Sequence, residues 1–258
     1  MIKKVVKADM NSVPRISCII PFWNEGQNII EVLDEISQVN NIYEIICVDD
    51  ASQDCNYVEI PVKYPNVKVI RLEKNHGKSG AVKEGIRHAS GELIFLVDAD
   101  LRNLNHIEIE QAAEAYIRTD GLDMLILRRI NAIFFVRLYR ADVLFTGERI
   151  LRKHDLETIL AQSEVRGWQL ESAINTWMFD NDRNVAWIPH SAINRHKYLK
   201  WGVLKGFWLD LKTYSDMVTA AGFNNMLKQI IYFAKNELKF DPRIHSPSYS
   251  EKELEEVG

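Results

Sequence analysis

A mixed α/β fold, with a mostly parallel sheet flanked by helices and a C-terminal helical extension, is predicted by three observations on this chain of 258 residues. Short β-branched runs alternate with longer segments of helical period between residues 16 and 100, the pattern of successive βαβ units. The runs are apolar throughout, as strands covered on both faces must be. Acidic residues recur directly after them, at the edge where open α/β sheets collect ligands.

The expected strands are residues 16–22, 43–48, 67–72 and 92–97. A helix is expected over 25–39, where Ile29, Ile30, Leu33 and Ile36 share a face, and another over 78–88, where Val82, Gly85 and Ile86 do. A third helix over 104–118 and a strand over 122–127 follow. Regularity then weakens: an apolar stretch at 132–139, a helix beginning near Lys153, a helix over 168–179, and short strands at 187–189 and 192–194. Residues 198–240 read as two helices broken around Gly222, and 241–258 as a loose acidic tail.

Composition narrows the function. With 36 acids against 32 Lys and Arg the net charge is -4, so no global field attracts nucleic acid or an anionic membrane, and a nucleic-acid partner is not expected. Residues 1–15 lack the continuous apolar stretch of a secretion signal, and no run approaches the ~18 apolar residues of a spanning helix. Cys18, Cys47 and Cys55 are odd in number and share no CxxC spacing, which disfavours a disulfide framework or structural zinc; a reducing cytoplasm is the expected setting.

The chemistry concentrates at strand ends. Asp98-Ala99-Asp100 follows the run 93–97, and two carboxylates there suit a hard divalent cation such as Mg²⁺ or Mn²⁺, with substrate phosphates completing the shell. The competing reading is a helix cap ahead of 104–118. Asp49-Asp50 ends the second strand and is read as a nucleoside contact, against the alternative of an Asp folded back on its own turn. Asn75-His76-Gly77-Lys78-Ser79-Gly80 lacks the GxxxxGK[ST] frame of a Walker motif, yet it puts Lys78 at a helix start, ready to meet a diphosphate. Residues 21–25 hold no GxGxxG, which disfavours a dinucleotide-binding domain.

Taken in order, Pro21-Phe22-Trp23-Asn24-Glu25, Asp49-Asp50-Ala51-Ser52, Asn75-His76-Gly77-Lys78 and Asp98-Ala99-Asp100 resemble glycosyltransferase family 2, strongly over residues 16–104. The resemblance implies the GT-A fold, a UDP- or GDP-linked sugar donor bound with Mg²⁺ or Mn²⁺, and inverting transfer to a hydroxyl or phosphate. It places Pro21, Asn24, Glu25, Asp49, Asp50, Lys78 and Asp98 around the nucleotide-sugar, and Asp100 with Asp98 on the metal. Ala51 and Cys55 depart from the usual DDGS and DGT. On this basis residues 1–240 form the transferase domain, with 16–130 as its nucleotide-sugar half, 131–196 as its acceptor half and 197–240 as the helical extension.

The second half is similar to the dolichol-phosphate-mannose-synthase-like branch at Thr146-Gly147-Glu148-Arg149 and Gly167-Trp168-Gln169-Leu170-Glu171, which puts Glu148, Arg149 and Trp168 on the acceptor side. The acceptor is then a polyprenyl phosphate or another glycan. A hydroxyl acceptor needs a base, and Glu171 is the candidate, alongside Asp98 as a catalytic carboxylate; with a phosphate acceptor Glu171 orients instead. His196, ahead of His190, is the candidate third metal ligand, and Arg195, Lys197 and Lys200 can cover the diphosphate. Residues 197–240 hold seven lysines, three acids and interleaved aromatics, which fit core packing first and peripheral contact with a membrane's inner face second. Two rival functions are a noncatalytic nucleotide-sugar-binding module and a nucleotidyltransferase; the second usually carries a Gly-rich loop after the first strand, absent from 21–25.

Overall fold

Seven strands build one sheet in the computed structural model, which describes residues 13–129, 142–162, 169–194 and 223–239. The elements are β1 (Ile16–Phe22), α1 (Gln27–Ile36), β2 (Ile42–Asp49), a helical turn (Cys55–Val58), α2 (Ile60–Lys63), β3 (Val67–Arg71), α3 (Gly77–His88), β4 (Leu93–Leu96), β5 (Leu101–Arg102), α4 (His106–Arg118), β6 (Met124–Arg129), α5 (Asp142–Phe145), β7 (Arg149–Arg152), α6 (Lys153–Gln162), α7 (Gln169–Asp180), β8 (Val185–His190), β9 (Ile193–Asn194) and α8 (Phe223–Ala234). The strand order is β3-β2-β1-β4-β7-β6-β8. All neighbours pair in parallel except at β7, which is antiparallel to both β4 and β6.

Side-chain alternation divides the core into two layers. Cys18, Ile20, Cys47, Phe95, Leu125 and Leu127 point to one face, under α1 and α4; Ile19, Ile46, Val48, Ile94, Leu96, Met124 and Ile126 point to the other, under α3, α6, α7 and α8. Each such side chain stabilises the fold by roughly 1.5–3 kcal/mol on burial, before the entropy of ordering is subtracted. Cys18 and Cys47 are free thiols in the first layer, and burial raises the pKa of both. A buried protonated thiol is inert, so these two act as small apolar residues.

Chain order reverses at β1, which lies between β2 and β4, and this is where a crevice opens. Val97 donates the last bond of the β1–β4 ladder, to the carbonyl of Ile19. The next bond in a parallel ladder would be donated by residue 21, and Pro21 has no N–H. The two chains part there, releasing Asp98 to Asp100 from the sheet. Just beyond, Leu101 and Arg102 pair with Asn194 and Ile193, so the loop is pinned at both ends.

Most predicted elements are present with shifted ends. Helix α1 starts at Gln27, because Asn24 and Gly26 have positive φ (53° and 54°) and cannot be helical. Strand β6 runs two residues later than expected and includes Arg128 and Arg129. Strand β7 was not anticipated: Ile150 and Leu151 are too short a run to signal a strand beside charged neighbours. In the 197–240 segment, α8 is described and the remainder apart from 235–239 lies outside the described residues. Helix α8 buries Ile230 and Phe233, and the chain after it runs along β8, with Trp187 N donating to Asn236 O (3.0 Å) and Leu238 N to Trp187 O (2.9 Å). Among the described residues no helix is long and apolar enough to cross a membrane.

Helix α3 lies close on β1 and β2 because residue 85 is glycine. A Cβ there would stand 2.6 Å from Ile19 Cγ2 and 3.2 Å from Val48 Cγ2. Gly85→Ala gains about 1 kcal/mol of helix propensity but forces stiff β-branched neighbours apart at about 1–3 kcal/mol. The expected outcome is net destabilisation, seen as a lower urea midpoint with an unchanged m-value.

Candidate active site

Four strand ends and two helix starts meet at the crevice. Asp98 and Asp100 follow β4 and cap no helix; α4 is capped by Asn105, whose side chain accepts from Ile107 N (2.9 Å). Asp98 is held from two directions. Lys78, the second residue of α3, donates its Nζ to Asp98 Oδ1 and also to Glu171 Oε1 (2.6 Å), so one ammonium joins α3, the loop after β4 and the first turn of α7. On the other side is Gly147, where a Cβ would fall 2.4 Å and 2.6 Å from the two oxygens of Asp98. Only glycine admits this approach.

Glu171 is buried, and its Oε2 has no hydrogen-bond partner among the described residues. One turn along the same face of α7, Asn175 accepts from Arg149 Nη1 (3.0 Å) and donates to Leu144 O (2.9 Å). Arg149 also donates to Thr146 O, fixing the turn that carries Gly147. Thr146 Oγ1 lies 2.6 Å from Glu148 Oε2, and Arg129 Nε lies 3.5 Å from the same oxygen. Glu148 and Arg149 are both fully buried, so they stand behind the carboxylates rather than on the crevice wall.

Charge shapes the acids differently. Burial opposes ionisation of Asp98, but Lys78, Arg129 and Arg149 outweigh it and hold the carboxyl below its usual range. Asp100 is pushed up to about 7 by burial and by the nearby charges of Asp98 and Glu25. Burial pulls the Arg149 guanidinium down, opposed by Glu171, Glu148 and Asp98. Burial opposes the charge on Lys78, yet Asp98 and Glu171 raise its pKa. His190 is pulled down to about 4 by burial and Arg129; its Nε2 lies 3.9 Å from Glu148 Oε2, and it is neutral at ordinary pH.

The nucleoside-side residues are bound into a loop scaffold. Asn24 Oδ1 accepts from Gln53 N (2.7 Å), and Asn24 N donates to Ser52 Oγ (2.9 Å). Glu25 accepts from Asn28 (2.9 Å). Asp49 is fully buried and accepts from Ser52 N (2.8 Å) and Arg71 Nη1 (2.9 Å), the turn geometry weighed as its alternative reading. Asp50 accepts from His76 N (2.7 Å) and Gly77 N (2.8 Å), so its carboxylate fills the N-terminus of α3. Neither aspartate offers an unengaged carboxylate. Trp168 and His196 lie outside the described residues. Arg71, Arg129 and Asn175 are not picked out from the sequence, and Gly147 is quoted there within a motif but given no role of its own. Arg128-Arg129 ending a buried strand, and Asn175 four residues after Glu171, were the available signals.

The carboxylates suit a hard cation. Among the described residues no three His, Cys, Asp or Glu side chains form a ready-made metal cluster. A site with two carboxylates and donor phosphates needs no third; burial first, and then the charges of Asp98 and Glu25, raise the pKa of Asp100, and a divalent cation would offset those charges.

This architecture is that of the GT-A glycosyltransferases. The solved glucosyl-3-phosphoglycerate synthase of Mycobacterium tuberculosis, in complex with Mn²⁺, UDP and glucosyl-3-phosphoglycerate, superimposes with a TM-score of 0.64 at 16% identity, over 81% of this chain and 80% of that one. The same enzyme with Mg²⁺ and UDP gives 0.62 at 18% identity, over 81% and 80%. The family model "Glycosyl transferase family 2" matches residues 17–165, and the chain belongs to that family. A dolichol-phosphate mannosyltransferase of Pyrococcus furiosus is 42% identical over 94 residues, 34% of this chain and 26% of that one. An undecaprenyl-phosphate 4-deoxy-4-formamido-L-arabinose transferase of Yersinia pestis is 28% identical over 174 residues, 57% of this chain. This chain spans only 26% and 52% of the length of those two relatives.

Two outcomes follow. Gly147→Ala should displace Asp98, costing about 1–3 kcal/mol of stability and weakening Mn²⁺-dependent nucleotide binding, both readable in one calorimetric series. For Asp100, the folded pKa near 7 lies above the ordinary value. The folded state therefore binds more protons than the unfolded one between about pH 4 and 7, and stability falls as pH rises through that window. Asp100→Asn removes this loss, so its thermal midpoint should gain on the wild type steadily from about pH 5 to 7.5 without metal.

Proposed function

We propose that this transferase moves a sugar from a nucleoside-diphosphate donor, bound with Mg²⁺ or Mn²⁺ at Asp98 and Asp100, to the phosphate of a polyprenyl lipid, with inversion at the sugar. The observation that carries the reading is that Lys78 joins the first aspartate of a DxD at the sheet's switch point to Glu171. The names of the two curated relatives support the lipid-phosphate acceptor.

A bound divalent cation supplies charge stabilisation on the departing diphosphate. The chain's own part is to hold the reactants. Asn24, Glu25, Asp49 and Asp50 shape the nucleoside pocket, largely through the loop they brace. Asp100 faces the cation and Asp98 lies beside the donor sugar. Lys78, on a flexible four-carbon stem, can follow the diphosphate. Glu148 and Arg149 act on the acceptor side through the turn they fix, and Trp168 and His196 remain assigned by resemblance to acceptor and metal. An ionised phosphate acceptor needs no base, so Glu171 then orients Lys78 and the acceptor. A glycan hydroxyl would need Glu171 to take its proton on Oε2.

The test is a thermal-shift panel of UDP, GDP and their sugar conjugates with and without Mn²⁺, followed by transfer assays with a polyprenyl phosphate. At a hundred times its dissociation constant a donor should add about 2.7 kcal/mol, roughly 5–10 °C in midpoint, and Asp100→Asn should lose the Mn²⁺-dependent part. Glu171→Gln should keep the donor shift. Transfer to a lipid phosphate should fall modestly in that variant, whereas a loss of about 10²–10⁴-fold would assign a hydroxyl acceptor. Donor binding without turnover on any acceptor would favour a binding module, and no shift with any nucleotide would sink the proposal.

A further inference from the structure

Lys78 is tied to two carboxylates that belong to different tasks. Its side chain is 20% exposed, between those of Asp98 at 14% and Glu171 at 3%. Asp98 packs against the backbone of Gly147, at an approach that leaves no room for a Cβ. Glu171 is fixed by burial in the first turn of α7. Asp50 takes the His76 and Gly77 N–H groups at the start of α3, and Lys78, the next residue, brings a cation on a flexible stem to the same helix start, where it can meet a diphosphate.

An ammonium on Asp98 and a divalent cation on the same carboxylate repel each other with twice the strength of two ammonium groups. A diphosphate is the species with the charge to compete with Asp98 and Glu171 for the lysine. We propose that Lys78 makes divalent-cation binding at Asp98 and Asp100 conditional on the donor: its ammonium blocks Asp98 until a nucleoside diphosphate draws it off. The inference rests on the transferase reading above and adds an order to it. The same movement releases Oε1 of Glu171, so donor arrival opens the metal site and frees the acceptor-side carboxylate together.

The experiment measures Mn²⁺ binding by titration calorimetry and by the electron paramagnetic resonance signal of free Mn²⁺, on wild type, Lys78→Met, Lys78→Arg and Lys83→Met, with and without UDP or GDP. The wild type should bind Mn²⁺ weakly alone and about 5–150-fold more tightly with its nucleotide. Lys78→Met should bind Mn²⁺ alone at least about tenfold more tightly than wild type. Lys78→Arg keeps the charge and should stay weak. Lys83→Met removes an exposed charge from the same helix and should match wild type, separating a local block from general electrostatics. Because Lys78→Met leaves two carboxylates facing each other, Lys78→Gln, a neutral side chain that still carries two N–H donors, serves as the second variant. Equal Mn²⁺ affinity in wild type and both neutral variants would overturn the inference while leaving the transferase reading intact, provided UDP or GDP still binds. Failure of the wild type to bind either nucleotide would remove the reading, and the inference with it.

Discussion

The parting of β1 and β4 at Pro21 is the constraint from which the site follows. A continuous ladder would have carried Asp98 on within the sheet, buried between parallel neighbours and committed to backbone geometry. Because residue 21 has no donor, the ladder closes at Ile19 and Val97, and two carboxylates leave the sheet at the point where strand order reverses. The short β5–β9 pairing then fixes the far end of the same loop.

Around that loop the polar interior is layered. Nearest the crevice are Asp98, Asp100, Lys78 and Glu171; behind them stand Arg149, Asn175, Thr146 and Glu148, nearly all fully enclosed. Arg149 has no contact surface of its own, so its influence passes through the turn at Gly147 and through its field at Asp98 and Glu171. Such enclosed networks are costly unless satisfied, and Glu171 Oε2, Glu148 Oε1 and Arg149 Nε here have no hydrogen-bond partner among the described residues.

Much of this was legible in the sequence. The strands of the first half were readable because both faces are covered, giving uninterrupted apolar runs, and the strand-end acids stood out against them. Strand β7 was not readable, since its four residues, two of them arginines, owe their conformation to pairing with β4 and β6. The DxD and Lys78 were visible as motifs, but their ion pair, 20 residues apart, was not. Asp49 and Asp50 looked alike in sequence and differ in what they hold: one closes its own turn with Arg71, the other fills the start of α3. That distinction depends on β3 and α3 arriving at the same edge, which spacing does not encode. Gly147 could be seen as a glycine, but the reason for it, Asp98, lies in the loop after β4, nearly fifty residues earlier.

The strip of chain after α8 has a consequence of another kind. Strand β8 is the last of the sheet, and an uncovered last strand offers its N–H and C=O groups to any other extended chain. Here Asn236 and Leu238 take up the backbone of Trp187, and the Asn236 side chain donates to Val185 O. The C-terminal segment therefore works as a guard against self-association: a chain shortened ahead of α8 would lose the packing of Ile230 and Phe233 and would also bare a sticky edge, so its failure would be insolubility before it was inactivity.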